Sequence, residues 1–136
     1  MSRKVVIFDD EVREKIKKGI SVLASAVKIT MGPRGKTVLI EQTNKHPIVT
    51  KDGVTVARAI NLSDGFCNLG VQVVKEAASR SAEEAGDGTT TATVLTQAIF
   101  EAGLKIISAG QDSVNLRSEI ESATSLVISE LKKMSK

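Results

Sequence analysis

The sequence has no Trp and no Tyr, and aromatic residues make up only 2% of its 136 positions. A core built on large rings is therefore excluded. Val, Ile, Leu and Ala must fill it, which suits packed helices better than an all-β sandwich. Cysteine occurs once, at Cys67, so no disulfide framework can form and a reducing compartment is expected. No apolar run is long enough to span a membrane. The N-terminal stretch MSRKVVIFDDEVREK lacks the apolar centre of a signal peptide. A soluble, cytoplasmic protein without membrane partners is expected. Net charge is +3, with a pI near 9.1. The basic residues are scattered, and no aromatics are interleaved to stack on bases. A solvated basic face is the reading, and a nucleic-acid module is not expected.

Hydrophobic residues at 41% and charged residues at 26% mark a globular chain. Its length suits one domain. Residues 4–8, KVVIF, read as a strand. Asp9 or Asp10 then caps a helix whose stripe is Val12, Ile16, Ile20, Leu23 and Val27. Gly32 and Pro33 stop it. TVLIEQ (37–42) and IVT (48–50) form a hairpin across TNKHP. After the KDG turn, VTVARAI predicts a short helix. Ser63 is the expected cap of a longer one with the stripe Phe66, Leu69, Val73 and Ala77. A further helix runs to about Ala109 with Val94, Leu95, Ala98, Ala102 and Ile106 on one side. Ser113 caps the last, which carries Leu116, Ile120, Val127, Leu131 and Met134. Long amphipathic helices with one hairpin predict a mainly α domain.

The stretch EEAGDGTTTATVLTQ (83–97) puts six poor helix formers where a helix begins. A helix start offers free N–H groups and a positive dipole end, a natural anion site. Gly86 and Gly88 let backbone approach a phosphate, and Thr89, Thr90 and Thr91 add hydroxyls. Asp87 would repel phosphate unless it holds a bridging divalent cation. The plainer alternative is that Asp87 or Thr89 caps a helix. A second candidate, TMGPRGKT (30–37), is not a Walker A loop. Position 30 is Thr rather than Gly, and a helix precedes where a strand should. It is either a helix-stopping turn or a different loop that meets a nucleotide. In a third, TKDGVTVA (50–57), Asp52 stands at a hairpin end before Gly53. Asp52 is a turn residue, or it joins Asp87 as a water-positioning group for phosphoryl transfer.

The stretches VKITMGPRGKTVLIE, TKDGVTVAR, VKEAASR and AGDGTTTATVLTQAI resemble the group I chaperonins, the GroEL type, nearly collinearly from Lys4 to Met134. The resemblance implies that residues 1–136 form a single partial domain, the N-terminal part of an ATP-binding equatorial helical bundle. It implies ATP, Mg2+ and K+ as cofactors. By position, Gly88, Thr89, Thr90 and Thr91 would cradle phosphates and Asp87 would bind Mg2+. Thr30, Met31, Gly32 and Pro33 would line the nucleotide. Lys51, Asp52 and Gly53 would stand at the γ-phosphate, with Asp52 and Asp87 catalytic. Thr30, Lys51 and Thr90 match the ligands of K+. The N-terminal strand and the hairpin at 37–50 would pair with neighbouring subunits of a double-ring homo-oligomer, with Lys105 and Ala109 at the ring–ring contact.

The chain departs from the family pattern at Met31, Arg34, FCNLGVQ and AGQDSVNLRSEIESA. Its greatest departure is length. The intermediate and apical domains, which in the family meet unfolded proteins and the co-chaperonin, are absent. So is the rest of the equatorial domain, with the adenine contacts and a further catalytic Asp. A folding ATPase is thus expected of a complete chain, not of these residues alone. The rival is a non-catalytic truncated chaperonin that acts as an oligomerisation module. His46 reads as a solvated turn residue and Cys67 as a helix-face residue.

Overall fold

A computed structural model describes residues 9–43 and 45–135; the strand expected at 4–8 lies outside them. The described chain runs α1 (Asp9–Lys28), β1 (Val38–Ile40), β2 (Ile48–Thr50), α2 (Gly53–Ala59), α3 (Gly65–Ala85), α4 (Thr89–Ser108) and α5 (Ser113–Met134). It is mainly α, with one antiparallel hairpin that pairs Val38 with Thr50 and Ile40 with Ile48. It divides into two compact units, residues up to Phe100 and residues from Glu101 on, with the boundary inside α4.

In the first unit the predicted α1 stripe is the core face. Ile20, Leu23 and Val27 are fully buried and meet Val56 and Ala57 of α2 and Val71 and Val74 of α3. Val38 and Ile40 pack on this cluster from the hairpin, and Phe100 packs on it from α4. Two glycines set how closely α1 and α3 approach. A Cβ on Gly19 would overlap the Cys67 carbonyl, and one on Gly70 would overlap the Ile16 carbonyl. Backbone therefore lies against backbone at this crossing.

This approach corrects the predicted α3 stripe. Leu69 and Val73 are exposed, whereas Cys67, Gly70, Val71, Val74 and Ala78 are buried. Apolar residues lie on both faces of α3, and the face with the smallest of them fits against Gly19. The cap also differs by one residue. Asp64, not Ser63, accepts from the N–H groups of Phe66 and Cys67, both at 2.9 Å. Lys15 donates to the same carboxylate at 2.8 Å and lies over the Phe66 ring. Asp9 and Asp10 lie within the first turn of α1 rather than before it.

The α4 stripe needs correction too. Leu95, Ala98, Ala102 and Ile106 are exposed, while Thr89 and Thr93 are buried. The Thr93 hydroxyl donates to the Thr89 carbonyl at 2.9 Å, so this polar side chain is satisfied inside its own helix. In the second unit Leu116 is buried on α5, Ile120 is half-buried, and Val127, Leu131 and Met134 are exposed. Asp112, not Ser113, caps α5 through the Asn115 N–H at 3.0 Å. An Asp caps each of α2, α3 and α5, because a carboxylate accepts from the free first-turn N–H groups and suits the dipole.

Candidate functional site

Three glycine-bearing turns meet in the first unit. A Cβ on Gly53 would collide with the Thr90 hydroxyl oxygen and lie 3.1 Å from Val27 Cγ1 and 3.4 Å from Thr30 Oγ1. Gly53 is the first residue of α2, Thr90 stands in the first turn of α4, and Thr30 follows α1. The turn after α1, the turn before α2 and the start of α4 therefore pack directly on one another at Gly53, with no room there for a side chain. Thr30 holds its hydroxyl there by donating to the Val27 carbonyl at 2.8 Å.

Asp52 ends the hairpin and caps α2. Its Oδ1 accepts from Val54 N–H at 3.2 Å, and its Oδ2 from Thr55 N–H at 2.9 Å and the Thr55 hydroxyl at 2.5 Å. The Asp52 N–H donates to Thr50 Oγ1 at 2.9 Å, which fixes the turn from the strand side. The Thr55 hydroxyl foremost, helped by the two N–H groups, holds the Asp52 carboxyl below the ordinary carboxylate range. The group is exposed and stays ionised near neutrality. The helix cap and the charged group at the turn are thus the same side chain. Three accepted hydrogen bonds leave a carboxylate room for another donor.

The 86–88 turn joins α3 to α4. Gly86 and Gly88 have φ of +72° and +79°, a region that glycine enters without steric cost. Between them Asp87 is exposed, and its Oδ1 accepts from Gly88 N–H at 2.6 Å. The Asp87 carbonyl accepts from the Ser81 hydroxyl at 2.9 Å. Intrahelical bonding starts with Ala92 N–H on the Gly88 carbonyl at 2.8 Å. Thr89, Thr90 and Thr91 precede that donor, so their N–H groups have no helical partner.

The predicted site residues thus fall into three sets. Thr30, Gly53 and Thr90 are brought together directly. Met31, Gly32, Pro33, Lys51, Gly88, Thr91 and the buried Thr89 belong to the same three turns. The hydrogen bonds of Asp52 and Asp87 are each local, and none joins the two carboxylates. Among the described residues, no group of three or more His, Cys, Asp or Glu side chains could hold a metal ion. A cation here would need ligands from its own ligand and from water, as Mg2+ commonly takes them. The positioning hydroxyls of Thr50, Thr55 and Ser81 were not foreseen from sequence. Thr55, three residues after an Asp that precedes a helix, is the one whose spacing carried a signal.

The TCP-1/cpn60 chaperonin family model matches residues 23–136. Among solved structures, the chain is similar to the chaperonin gp146 from the bacteriophage EL 2 (Pseudomonas aeruginosa), crystallised in the presence of ATP-BeFx. One crystal form gives a TM-score of 0.80 at 34% identity, covering 98% of this chain and 23% of that one. The other gives 0.79 at 34% identity, covering 98% and 24%. The chain spans about a quarter of the length of these structures. No helix among the described residues is long and apolar enough to cross a membrane.

Proposed function

The chain belongs to the TCP-1/cpn60 chaperonin family, and from that premise we propose that it carries the phosphate-binding part of an ATP-hydrolysing, ring-forming folding chaperone's equatorial domain. The observation that carries this reading is the close meeting of Thr30, Gly53 and Thr90, with the first α4 amides, at Thr89 to Thr91, left without helical partners. Gly88, Thr89, Thr90 and Thr91 bind phosphate through N–H groups and hydroxyls. Thr30, Met31, Gly32 and Pro33 line the nucleotide, and Lys51, Asp52 and Gly53 face its far end. Asp87 supplies the carboxylate for Mg2+. Oxygens of Thr30, Lys51 and Thr90 suit K+, Lys51 through its main-chain carbonyl because its ammonium repels a cation. Bound Mg2+ neutralises charge on the triphosphate. Asp52, kept ionised by Thr55, orients a water as an acceptor.

The test is a Mg-ATP titration with K+ present, followed through backbone amide shifts. Shifts confined to residues 30–33, 51–53 and 87–91 are the expected result. No response at millimolar nucleotide, or shifts elsewhere, would overturn the reading. A second reading, a non-catalytic oligomerisation module, draws on the cross-strand pair Leu39 and Val49, both about two-thirds exposed. It predicts assembly that is indifferent to nucleotide.

A further inference from the structure

The peptide between Asp87 and Gly88 is held at both ends. Its N–H donates to the Asp87 carboxylate at 2.6 Å, and its carbonyl accepts from Ser81 Oγ at 2.9 Å. Ser81 lies in the next-to-last turn of α3, and a Cβ on Gly88 would stand 3.3 Å from its hydroxyl. Gly86 N–H is tied to Ala82 O at 2.9 Å. The two glycines that flank Asp87 leave the turn free to rotate unless something restrains it. The two anchors of this peptide are not equivalent. A cation would compete for the Asp87 carboxylate, whereas the Ser81 hydroxyl holds the Asp87 carbonyl, which is not part of that group.

We propose that Ser81 is a positioning residue for the phosphate site, fixing the Asp87–Gly88 peptide so that the Asp87 carboxylate and the first α4 amides keep their directions when Asp87 engages a cation. This rests on the nucleotide reading above. Ser81 touches no ligand itself and acts through the Asp87 carbonyl. The alternative is that the hydroxyl merely closes the end of α3.

Ser81→Ala separates the two, because Ala is the better helix former and leaves α3 no weaker. The probe is Mg-ATP on the whole chain, read from the amide shifts of Gly88, Thr89, Thr90 and Thr91. Ser81→Ala is expected to weaken apparent affinity about fivefold, the scale of one lost hydrogen bond. Ser81→Thr restores it, and Ser79→Ala on the exposed side of α3 leaves it unchanged. The denaturant midpoint of Ser81→Ala stays at or above the parent's. Parent-like affinity in Ser81→Ala overturns the role of Ser81 alone. Failure of Ser81→Thr to restore affinity overturns the hydrogen bond as its cause. A parent chain whose amides ignore Mg-ATP overturns the nucleotide reading and this inference together.

Discussion

Lys15 and Asp64 stand 2.8 Å apart, joining the middle of α1 to the cap of α3. The Lys15 hydrogen bond, followed by the cap N–H of Cys67, lowers the Asp64 carboxyl from 3.8 to about 2. Lys15 is raised above 10.5 by the same partner. A lowered carboxyl adds stability that is fully present above 3.8 and is lost as pH falls through about 2. A raised lysine adds stability that is fully present below 10.5 and is lost as pH rises through its folded value. The pair's contribution is therefore present through the neutral range, and it is small because both side chains are partly exposed.

Asp64→Asn keeps a cap acceptor and removes the charge. Its stability deficit relative to the parent should be constant from pH 5 to 8. It should shrink as the parent's carboxylate protonates below 3.8. Urea titrations followed by far-ultraviolet circular dichroism measure this, since the chain has no Trp or Tyr. Because both side chains are partly exposed, added salt should reduce the deficit as well. A deficit independent of both pH and salt would assign the effect to capping alone.

Gly19→Ala and Gly70→Ala should each destabilise the first unit. Each new Cβ meets a backbone carbonyl of the facing helix, so the helices must separate. Overpacking typically costs about 1–3 kcal/mol, and the gain in helix propensity of roughly 1 kcal/mol offsets only part of it. Gly65→Ala, whose Cβ meets nothing within 4 Å, is the contrast and should be neutral or mildly stabilising. Equal denaturant midpoints for all three would contradict the close approach.

At Gly53 the obstacle is a side chain, not backbone, and the prediction changes accordingly. Gly53→Ala should be destabilising, while Gly53→Ala combined with Thr90→Ala should recover part of the loss. Contacting residues usually show coupling of about 0.5–3 kcal/mol in such a cycle. Strict additivity would mean that the α2 and α4 turns do not meet at Gly53.

In a chaperonin chain complete enough to turn over ATP, the two carboxylates should fail differently. Asp52→Asn keeps only one of the two oxygens that cap α2, so a denaturant titration of the same variant is needed to separate lost helix stability from chemistry. The variant should lower single-turnover hydrolysis far more than nucleotide affinity, because orienting water favours mainly the transition state. Asp87→Asn should lower both, with the loss of affinity confined to Mg2+-containing buffer. Hydrolysis near the parent's in both variants would remove the catalytic assignment.

Periodicity in the sequence found α1 because its stripe residues Ile20, Leu23 and Val27 are both large and fully buried. It misplaced the α3 face because the contact with α1 is built on what is small. Gly70 and Gly19 count for nothing on a hydrophobic scale, yet they set the closest approach. It misplaced α4 because Thr89 and Thr93 enter the core with Thr93 bonded to its own helix. A back-bonded threonine reads as polar and packs like a small apolar residue. The caps fall at Asp64 and Asp112, each one residue from the expected Ser63 and Ser113, because in both pairs the neighbouring carboxylate accepts the first-turn N–H groups and suits the dipole. At the site, the glycine and threonine composition pointed to the three turns. Their meeting at Gly53 did not follow from composition, because convergence is set by the packing of α1, α2 and α4 on a shared core.

The isolated chain should self-associate. On α5, Leu126, Val127, Leu131 and Met134 are each more than half exposed, as are Leu39 and Val49, which face each other across the hairpin. Burying one such side chain contributes about 1.5–3 kcal/mol. A few of them together therefore rival the 5–15 kcal/mol that holds a typical domain folded. Among the described residues the sheet has two strands, so each presents an outer edge with unpaired backbone groups that invite another chain. Association between copies covers the apolar faces and the edges at once, so dimers or larger species are expected. Light scattering coupled to gel filtration across a dilution series measures this, with refractive-index detection because Trp and Tyr are lacking. Leu126→Lys with Leu131→Lys should shift the distribution toward monomer if α5 is the main contact, and Leu39→Lys should do so if the hairpin is. A monodisperse monomer at tens of micromolar that unfolds cooperatively would show that these surfaces are tolerated in water, and the expectation would fail.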